Sequence, residues 1–194
     1  MIKEKLKSLN RGGKVFLPTG QYDISTPVVI DVSCIKLEGE VWNYSFKFVR
    51  NGGAFPDEFP YPRAAVCFYK VNNCSVRNNT FDMAGTFWYY NDDALKNSDK
   101  KVFNQSTPAL RIEGNNNRIV GNTFSNTGAK SIIIKGDNNI LMNNIVDKNI
   151  VIDGCNNIVA NNVFTKRDAK IIVCNKEDCT EWINTPQHRI EYKV

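Results

Sequence analysis

Short apolar strands, each followed by glycine and asparagine, recur along the second half of the chain. The pattern appears as GNNNRIVGNTF at 114–124, GDNNILMNNIV at 136–146 and GCNNIVANNVF at 154–164, with a weaker copy, VNNCSVRNNTF, at 71–81. Successive copies start 43, 22 and 18 residues apart. The two shorter intervals match one coil of a β-solenoid, so the longest interval is either two coils or one coil with a long loop.

Positions that recur once per coil predict the buried columns of this solenoid. Strands of this length cannot bury a face alone, but stacked coil on coil they form parallel sheets around one core. The predicted apolar columns are Val76, Ile119, Leu141 and Val159; Phe81, Phe124, Val146 and Phe164; and Leu110, Ile132 and Ile150, continued by Ile171 or Ile172. The predicted fold class is therefore all-β, a right-handed, single-stranded parallel β-helix.

A polar column accompanies the apolar ones and consists of Asn79, Asn122, Asn144 and Asn162. Asparagine tolerates left-handed backbone conformations, and its amide can bond both its own turn and the asparagine of the next coil. We interpret the column as a ladder that stabilises the turns, because register with the turns explains every member. A polar ridge that binds a ligand is the alternative.

The segment GGKVFLPTGQYDISTPVVIDVSCIKLEGE at 12–40 resembles the opening coil of pectate-lyase-like β-helix proteins. The residues before it, IKEKLKSLN, resemble the amphipathic helix that caps the first coil in that superfamily, where open strand edges need a cover. The resemblance extends to about residue 173 and implies the fold. The superfamily includes polysaccharide lyases, glycoside hydrolases and phage tailspikes, so it implies a role with polysaccharides only in general terms.

The whole chain, 1–194, is predicted to be one domain of this kind. Its parts are a cap over 1–11, coils over 12–173 and a tail over 174–194 that leaves the repeat and covers the far end with Trp182 and Ile183. Two insertions, at 42–63 and 82–107, break the repeat. They precede neighbouring coils, so we expect them to project from the same flank.

The insertions carry the candidate site residues. Asn91-Asp92-Asp93-Ala94 resembles the Asp-Asp-[CA] element of polygalacturonase-type hydrolases, which implies Asp92 and Asp93 as the acid and base, although the family's companion motifs are missing. Aromatic and basic neighbours suit sugar rings and acidic groups. The expected substrate-binding residues are Trp88, Tyr89, Tyr90, Arg63 and Lys96. Alternatively, the aromatic side chains pack the insertions onto the solenoid or against a partner subunit.

Two functions remain open at this point. The first is a protein that binds or degrades a polysaccharide, as a lyase, a hydrolase or a catalytically degenerate relative. The second is a non-enzymatic structural component of a virion or cell surface, a tailspike-like module that is often a homotrimer. The absence of an apolar stretch after MIKEKLKSLN, where a secretory signal peptide would have one, leaves the location open.

Charge and composition narrow the partners. A net charge of +5 allows contact with an acidic polymer, no dense basic tract predicts nucleic acid, and no apolar run predicts a membrane span. An alternative surface for an acidic polymer is a basic stripe between later coils that consists of Lys130, Lys148, Lys166, Arg167 and Lys170.

No cofactor or metal is predicted from the sequence. Asp82 and Asp147 share a column, which is too sparse for a calcium site with six to eight oxygens. The six cysteines lack zinc-like spacing, and we expect reduced, structural thiols, with a Cys174–Cys179 bridge as the alternative.

Overall fold

The computed structural model describes residues 9, 12–18, 22–23, 28–39, 48–49, 64–82, 108–127, 130–174, 182–184 and 190–193. Its strands up to residue 82 are β1 (Gly13–Leu17), β2 (Tyr22–Asp23), β3 (Val28–Ile30), β4 (Ile35–Gly39), β5 (Phe48–Val49), β6 (Val66–Phe68), β7 (Ser75–Arg77) and β8 (Thr80–Asp82). The later strands are β9 (Leu110–Glu113), β10 (Arg118–Val120), β11 (Thr123–Ser125), β12 (Lys130–Lys135), β13 (Ile140–Met142), β14 (Ile145–Val146), β15 (Asn149–Asp153), β16 (Ile158–Ala160), β17 (Val163–Phe164), β18 (Ile171–Cys174), β19 (Trp182–Asn184) and β20 (Ile190–Lys193).

These strands stack into long parallel sheets. The first sheet has the order β1-β4-β7-β10-β13-β16-β19, the second β8-β11-β14-β17 and the third β3-β6-β9-β12-β15-β18-β20, while β2 pairs with β5. Neighbouring strands are parallel throughout. Because the chain visits the sheets in turn once per coil, it forms a right-handed parallel β-helix, which confirms the predicted fold class.

The inward side chains form the apolar columns that the repeat predicts. In register, they run Val76-Ile119-Leu141-Val159 in the first sheet, Phe81-Phe124 and Val146-Phe164 in the second, and Leu110-Ile132-Ile150-Ile171 in the third. All of these side chains are buried. Ile171 therefore continues the third column, and Ile172 pairs with Val151 on the outer side.

The predicted asparagine ladder lies inside the bend between the first and second sheets. The Oδ1 atom of Asn122 accepts hydrogen bonds from the backbone N–H of Asn79 at 3.0 Å and from its side-chain amide at 3.2 Å. Asn144 accepts in the same way from Asn122, and Asn162 from Asn144. These side chains are at most 3 % exposed, so the column is structural and offers no ridge to a ligand.

A second ladder, which the sequence analysis did not separate from the turn, lies in the bend before the first sheet. Asn139 accepts from the backbone N–H of Asn117, and Asn157 accepts from that of Asn139, both at 2.9 Å. Cys74 occupies the equivalent place one coil earlier. Its backbone N–H donates to Asn117 at 2.9 Å, and its thiol accepts from the N–H of Ile35 at 3.3 Å.

Removing Asn122 should cost more stability than removing Asn79. Asn122→Ala leaves the buried N–H of Asn79 and the carbonyl of Val76 without their side-chain partner, at an expected loss of about 2–3 kcal/mol. The Oδ1 of Asn79 has no partner among the described residues, so Asn79→Ala loses only donors, and we expect about half that cost. Urea unfolding of both variants measures the difference. Equal losses would contradict the direction of the ladder.

The interval of 43 residues is a single coil with a long insertion. Strand β10 pairs directly with β7, so residues 83–107 connect adjacent coils. The sequence predicts that the first insertion, at 42–63, breaks the repeat. Part of this insertion nevertheless forms a strand that pairs with the preceding coil. Strand β5 lies within it and pairs with β2, so this coil retains a strand beside the second sheet.

Two described strands after residue 174 extend sheets of the solenoid beyond the coils predicted over 12–173. Strand β19 pairs with β16 and places Ile183 beside Val159, while β20 pairs with β18 and places Ile190 beside Ile171. Ile183 and Ile190 both pack against the core. The alternation in WIN and IEYK is too short to reveal a strand without the register of the preceding coil.

Near the N-terminus, one residue of the predicted cap is described. The predicted capping helix falls outside the described residues except for Leu9, which packs against the core. None of the described residues belongs to a helix that is long and apolar enough to span a membrane.

The cysteines differ from the expectation of six reduced thiols. Cys34, Cys67, Cys74 and Cys174 are free, so Cys174 takes no part in the bridge considered above. Cys155, at the start of a turn, is in a disulfide whose partner lies outside the described residues. Sequence spacing gave no signal for it, because disulfide partners are chosen by proximity in the fold.

Candidate functional site

The outer face of the first sheet carries two columns of outward side chains at its N-terminal half. One column contains Lys36, Ser75 and Arg118 on neighbouring strands β4, β7 and β10. The other places Glu38 beside Arg77. Parallel strands are roughly 4.8 Å apart, so Lys36 and Arg118 are attached to backbone positions about 10 Å apart, with the short Ser75 between them.

These residues line an open cleft with a volume of about 540 Å³. Ser75 lies at its base and is 8 % exposed, whereas the cationic side chains around it are exposed. The lining residues are Lys36, Glu38, Asn73, Cys74, Ser75, Arg77, Asn116 and Arg118. The cleft is therefore a concave, polar surface on a rigid sheet.

The charge in the cleft is strongly positive. Glu38, the one carboxylate among the described lining residues, forms an ion pair with Lys14 at 2.7 Å. Arg77 and Arg118 form no ion pair with any described residue. Two unpaired guanidinium groups on adjacent strands can bind a carboxylate, sulfate or phosphate group through parallel N–H donors.

The wall of the cleft is the bend that precedes the first sheet. Asn73 and Asn116 adopt left-handed conformations there, with φ values of 57° and 58°. Apart from glycine, asparagine is one of the few residues that adopt this left-handed conformation. The second asparagine ladder holds the bend from inside, so the exposed amides keep a fixed position relative to Arg118.

The comparison with protein families fits this architecture. The family model NosD, described as periplasmic copper-binding protein, matches residues 28–193. The chain belongs to the NosD family. This NosD match covers most of the described coils, and the β-helix of the family agrees with the stacked sheets. Neither the curated proteins nor the solved structures gave a significant match.

The site residues predicted from the sequence lie outside the described residues of this NosD protein. These are Asp92, Asp93, Trp88, Tyr89, Tyr90, Arg63 and Lys96. Their proposed roles in acid–base chemistry and sugar binding stay predictions. Chain connectivity alone places Arg63 directly before the described segment that enters β6.

The two aspartates considered for calcium bind protein groups instead. Asp147 is 4 % exposed and accepts hydrogen bonds from the hydroxyls of Thr127 and Ser131, at 2.6 and 3.0 Å, and from the N–H of Thr127 at 2.9 Å. Asp82 accepts from Ser125 at 2.9 Å. Both carboxylates therefore stabilise corners between coils.

The predicted basic stripe and the observed cleft are different surfaces. Lys166 and Arg167 are exposed in the turn after β17, and Lys170 pairs with Glu191. Sequence reasoning missed the cleft residues. A signal was present, because SVR and RIV each place an arginine next to an inward aliphatic residue, and period-two alternation turns such an arginine outward.

The described residues contain no group of three or more His, Cys, Asp or Glu side chains that could hold a metal ion. Burial raises the pKa of the Cys67 thiol to about 12, with Glu113 adding to the effect and Arg111 opposing it. Burial also raises the pKa of the Cys74 thiol, although hydrogen bonds from the backbone N–H groups of Ile35 and Cys34 lower it in part. Metal ligation requires thiolates, so these buried thiols are poor ligands.

Proposed function

We propose that this NosD-family protein binds an anionic polysaccharide in the cationic cleft of the first sheet. The observation that carries the proposal is the pair Arg77 and Arg118, exposed and unpaired among the described residues, beside an open cavity of about 540 Å³. A carboxylate or sulfate group accepts parallel hydrogen bonds from a guanidinium, and the amides of Asn73 and Asn116 suit sugar hydroxyls.

A rigid sheet supports this role. The cations are fixed by strand register, so binding orders little backbone and loses little conformational entropy. Repeating charges along a polymer can contact Lys36 and Arg118, which lie on the two sides of Ser75. Polysaccharide chains are extended, and the outer face of the first sheet is an extended surface along which such a chain can lie.

Cleavage of the polysaccharide is a prediction separate from its binding. General acid–base chemistry on a glycan uses a pair of carboxyl groups. Glu38, the only carboxylate that lines the cleft among the described residues, is ion-paired with Lys14. Asp92 and Asp93 remain the predicted acid and base, and Asp92→Ala with Asp93→Ala should abolish turnover without a fall in melting temperature.

The family description also bears on location and metal. A periplasmic protein experiences an oxidising compartment, where disulfides persist, and the disulfide of Cys155 supports that location for this chain. Copper prefers imidazole and sulfur ligands. The described residues do not fit a copper centre, since they supply no cluster of ligands and their most buried thiols resist ionisation.

The test is isothermal titration with polygalacturonate, using dextran as the neutral polymer. We expect Arg77→Gln with Arg118→Gln to weaken binding at least about tenfold. Each substitution replaces a charge-assisted hydrogen bond to the ligand by a weaker one between a neutral donor and the anion. Lys166→Gln with Arg167→Gln removes the same charge from an exposed turn elsewhere and should leave affinity nearly unchanged. Added salt should weaken binding by the unmodified chain.

Three outcomes would contradict the proposal. Equal loss in both double variants would mean that only net charge matters, and loss confined to the Lys166/Arg167 variant would place the site on the later turns. A chain that binds neither polymer and is a trimer in light scattering would favour the structural, tailspike-like function instead.

A further inference from the structure

The outer face of the first sheet continues past the cleft, and there it becomes apolar. Strand β13 presents Ile140 and Met142 outward and β16 presents Ile158, whereas Ala160, at the next outward position of β16, is only 1 % exposed and is covered. Val120, the outward residue next to Arg118 on β10, begins this half. Ile140, Met142 and Ile158 are half-buried, so each keeps part of its side chain accessible to a ligand.

No loop separates the cationic half from the apolar half. Arg118 pairs with Ile140, which pairs with Ile158, in one column. Arg77 pairs with Val120 in the other. Strand spacing puts the backbone of Ile158 about 10 Å from that of Arg118. One ligand that covers both halves must therefore be anionic at one end and apolar at the other.

Polar bends border the apolar half on both sides. Exposed asparagines with positive φ lie along each edge: Asn138 and Asn156 on one, Asn143 and Asn161 on the other. An apolar patch rimmed by polar residues marks an interaction surface. The amide rim suits an interfacial environment, in which sugar and phosphate groups surround the start of acyl chains.

We infer that the anionic glycan bound in the cleft is the headgroup of a glycolipid, held at a membrane surface with its acidic groups in the cleft and its acyl chains against the apolar half. The inference rests on the proposed function, because the headgroup uses the same arginines. It adds the apolar contact, which a water-soluble polysaccharide would leave unused. Charge complementarity and the unbroken continuation of the cleft select this occupant over a second copy of the chain, because neither half of a matching face supplies an anion for Arg77 and Arg118.

The test compares one ligand with and without its acyl chains. The probes are phosphatidylcholine vesicles with and without lipid A, an acylated glucosamine disaccharide that carries phosphate, and the same disaccharide after deacylation. We expect binding to the lipid A vesicles and not to plain ones. Ile140→Thr with Ile158→Thr should weaken vesicle binding at least about tenfold and leave binding of the deacylated headgroup unchanged.

Ile145→Thr is the matched control. Ile145 is 43 % exposed on the second sheet, outside this face, so the same substitution there should not change vesicle binding. Threonine preserves the β-branched shape that strands favour. If the double variant does not melt cooperatively, Met142→Gln provides the same test at a single outward position.

The failures of the two proposals are distinguishable. Unchanged vesicle binding by a folded apolar-face variant would overturn the glycolipid inference while leaving headgroup binding, and so the proposed function, intact. Loss of self-association in light scattering, with lipid binding unaffected, would show that the apolar half joins two copies and would equally overturn it. Absence of binding to polygalacturonate and to the free headgroup would refute the proposed function itself.

Discussion

Gly136→Ala should destabilise the solenoid by at least about 3 kcal/mol. Gly136 has a φ of 130°, which side chains rarely adopt, and a Cβ atom there would lie 2.2 Å from the carbonyl oxygen of Gly114 in the preceding coil. Because that oxygen belongs to stacked backbone, the clash can be relieved only by separating two coils. Urea denaturation followed by circular dichroism measures the loss.

Gly121→Asn provides the control for this prediction. Gly121 also has a positive φ, 69°, but the close contact of a Cβ atom there is with the side-chain oxygen of Asn78, at 2.7 Å, and this side chain can move where stacked backbone cannot. Other coils have asparagine at this bend, at Asn78, Asn143 and Asn161, with φ values of 53–56°. The substitution should therefore be nearly neutral. If both glycine variants lost the same stability, close stacking of the coils would not be the cause.

Phe124→Ala is expected to cost about 3–5 kcal/mol, as a truncation of a large side chain in a packed core. The ring of Phe124 stacks on that of Phe81 with 4.6 Å between centroids and an interplanar angle of 2°. Both rings are at most 1 % exposed. The lost ring leaves a cavity that the rigid sheets on either side cannot close.

Thr123→Ala is the control, and it tests whether the loss of stability at Phe124 comes from the buried position of its side chain. Thr123 is the half-buried neighbour of Phe124 on the same strand, and its side chain faces outward. We expect a loss well under about 1 kcal/mol there. A small effect at Phe124 in thermal and urea unfolding would show that the phenylalanine column is not the centre of the core.

Sequence alone predicted the core well because each coil repeats one set of constraints. Leu141, for example, is identified by the residues at the same place in neighbouring copies, and local propensity plays little part. The first asparagine ladder was predicted for the same reason. The second was less visible, because Asn117 stands in a run of three asparagines and Cys74 replaces asparagine in the earliest copy.

The candidate site was harder to predict, since outward residues are free to vary from coil to coil. Arg77 and Arg118 occupy different columns, so no periodic motif connects them, and the cleft emerges only from the pairing of β7 with β10. The aromatic residues and the Asp92-Asp93 pair indicate the insertions, and the site predicted there stays a prediction. The disulfide of Cys155 similarly depends on a proximity that only the fold creates.

The strict register of the coils also bears on how such a surface can evolve. Residues 136–153 make one complete turn of the solenoid, from Gly136 to the residue before Gly154, and add two outward side chains to the first sheet. Duplication of such a segment would lengthen the face by roughly 4.8 Å without a new loop or a new core. Reach along a ligand can thus grow by copying, while the chemistry at each step changes by single substitutions.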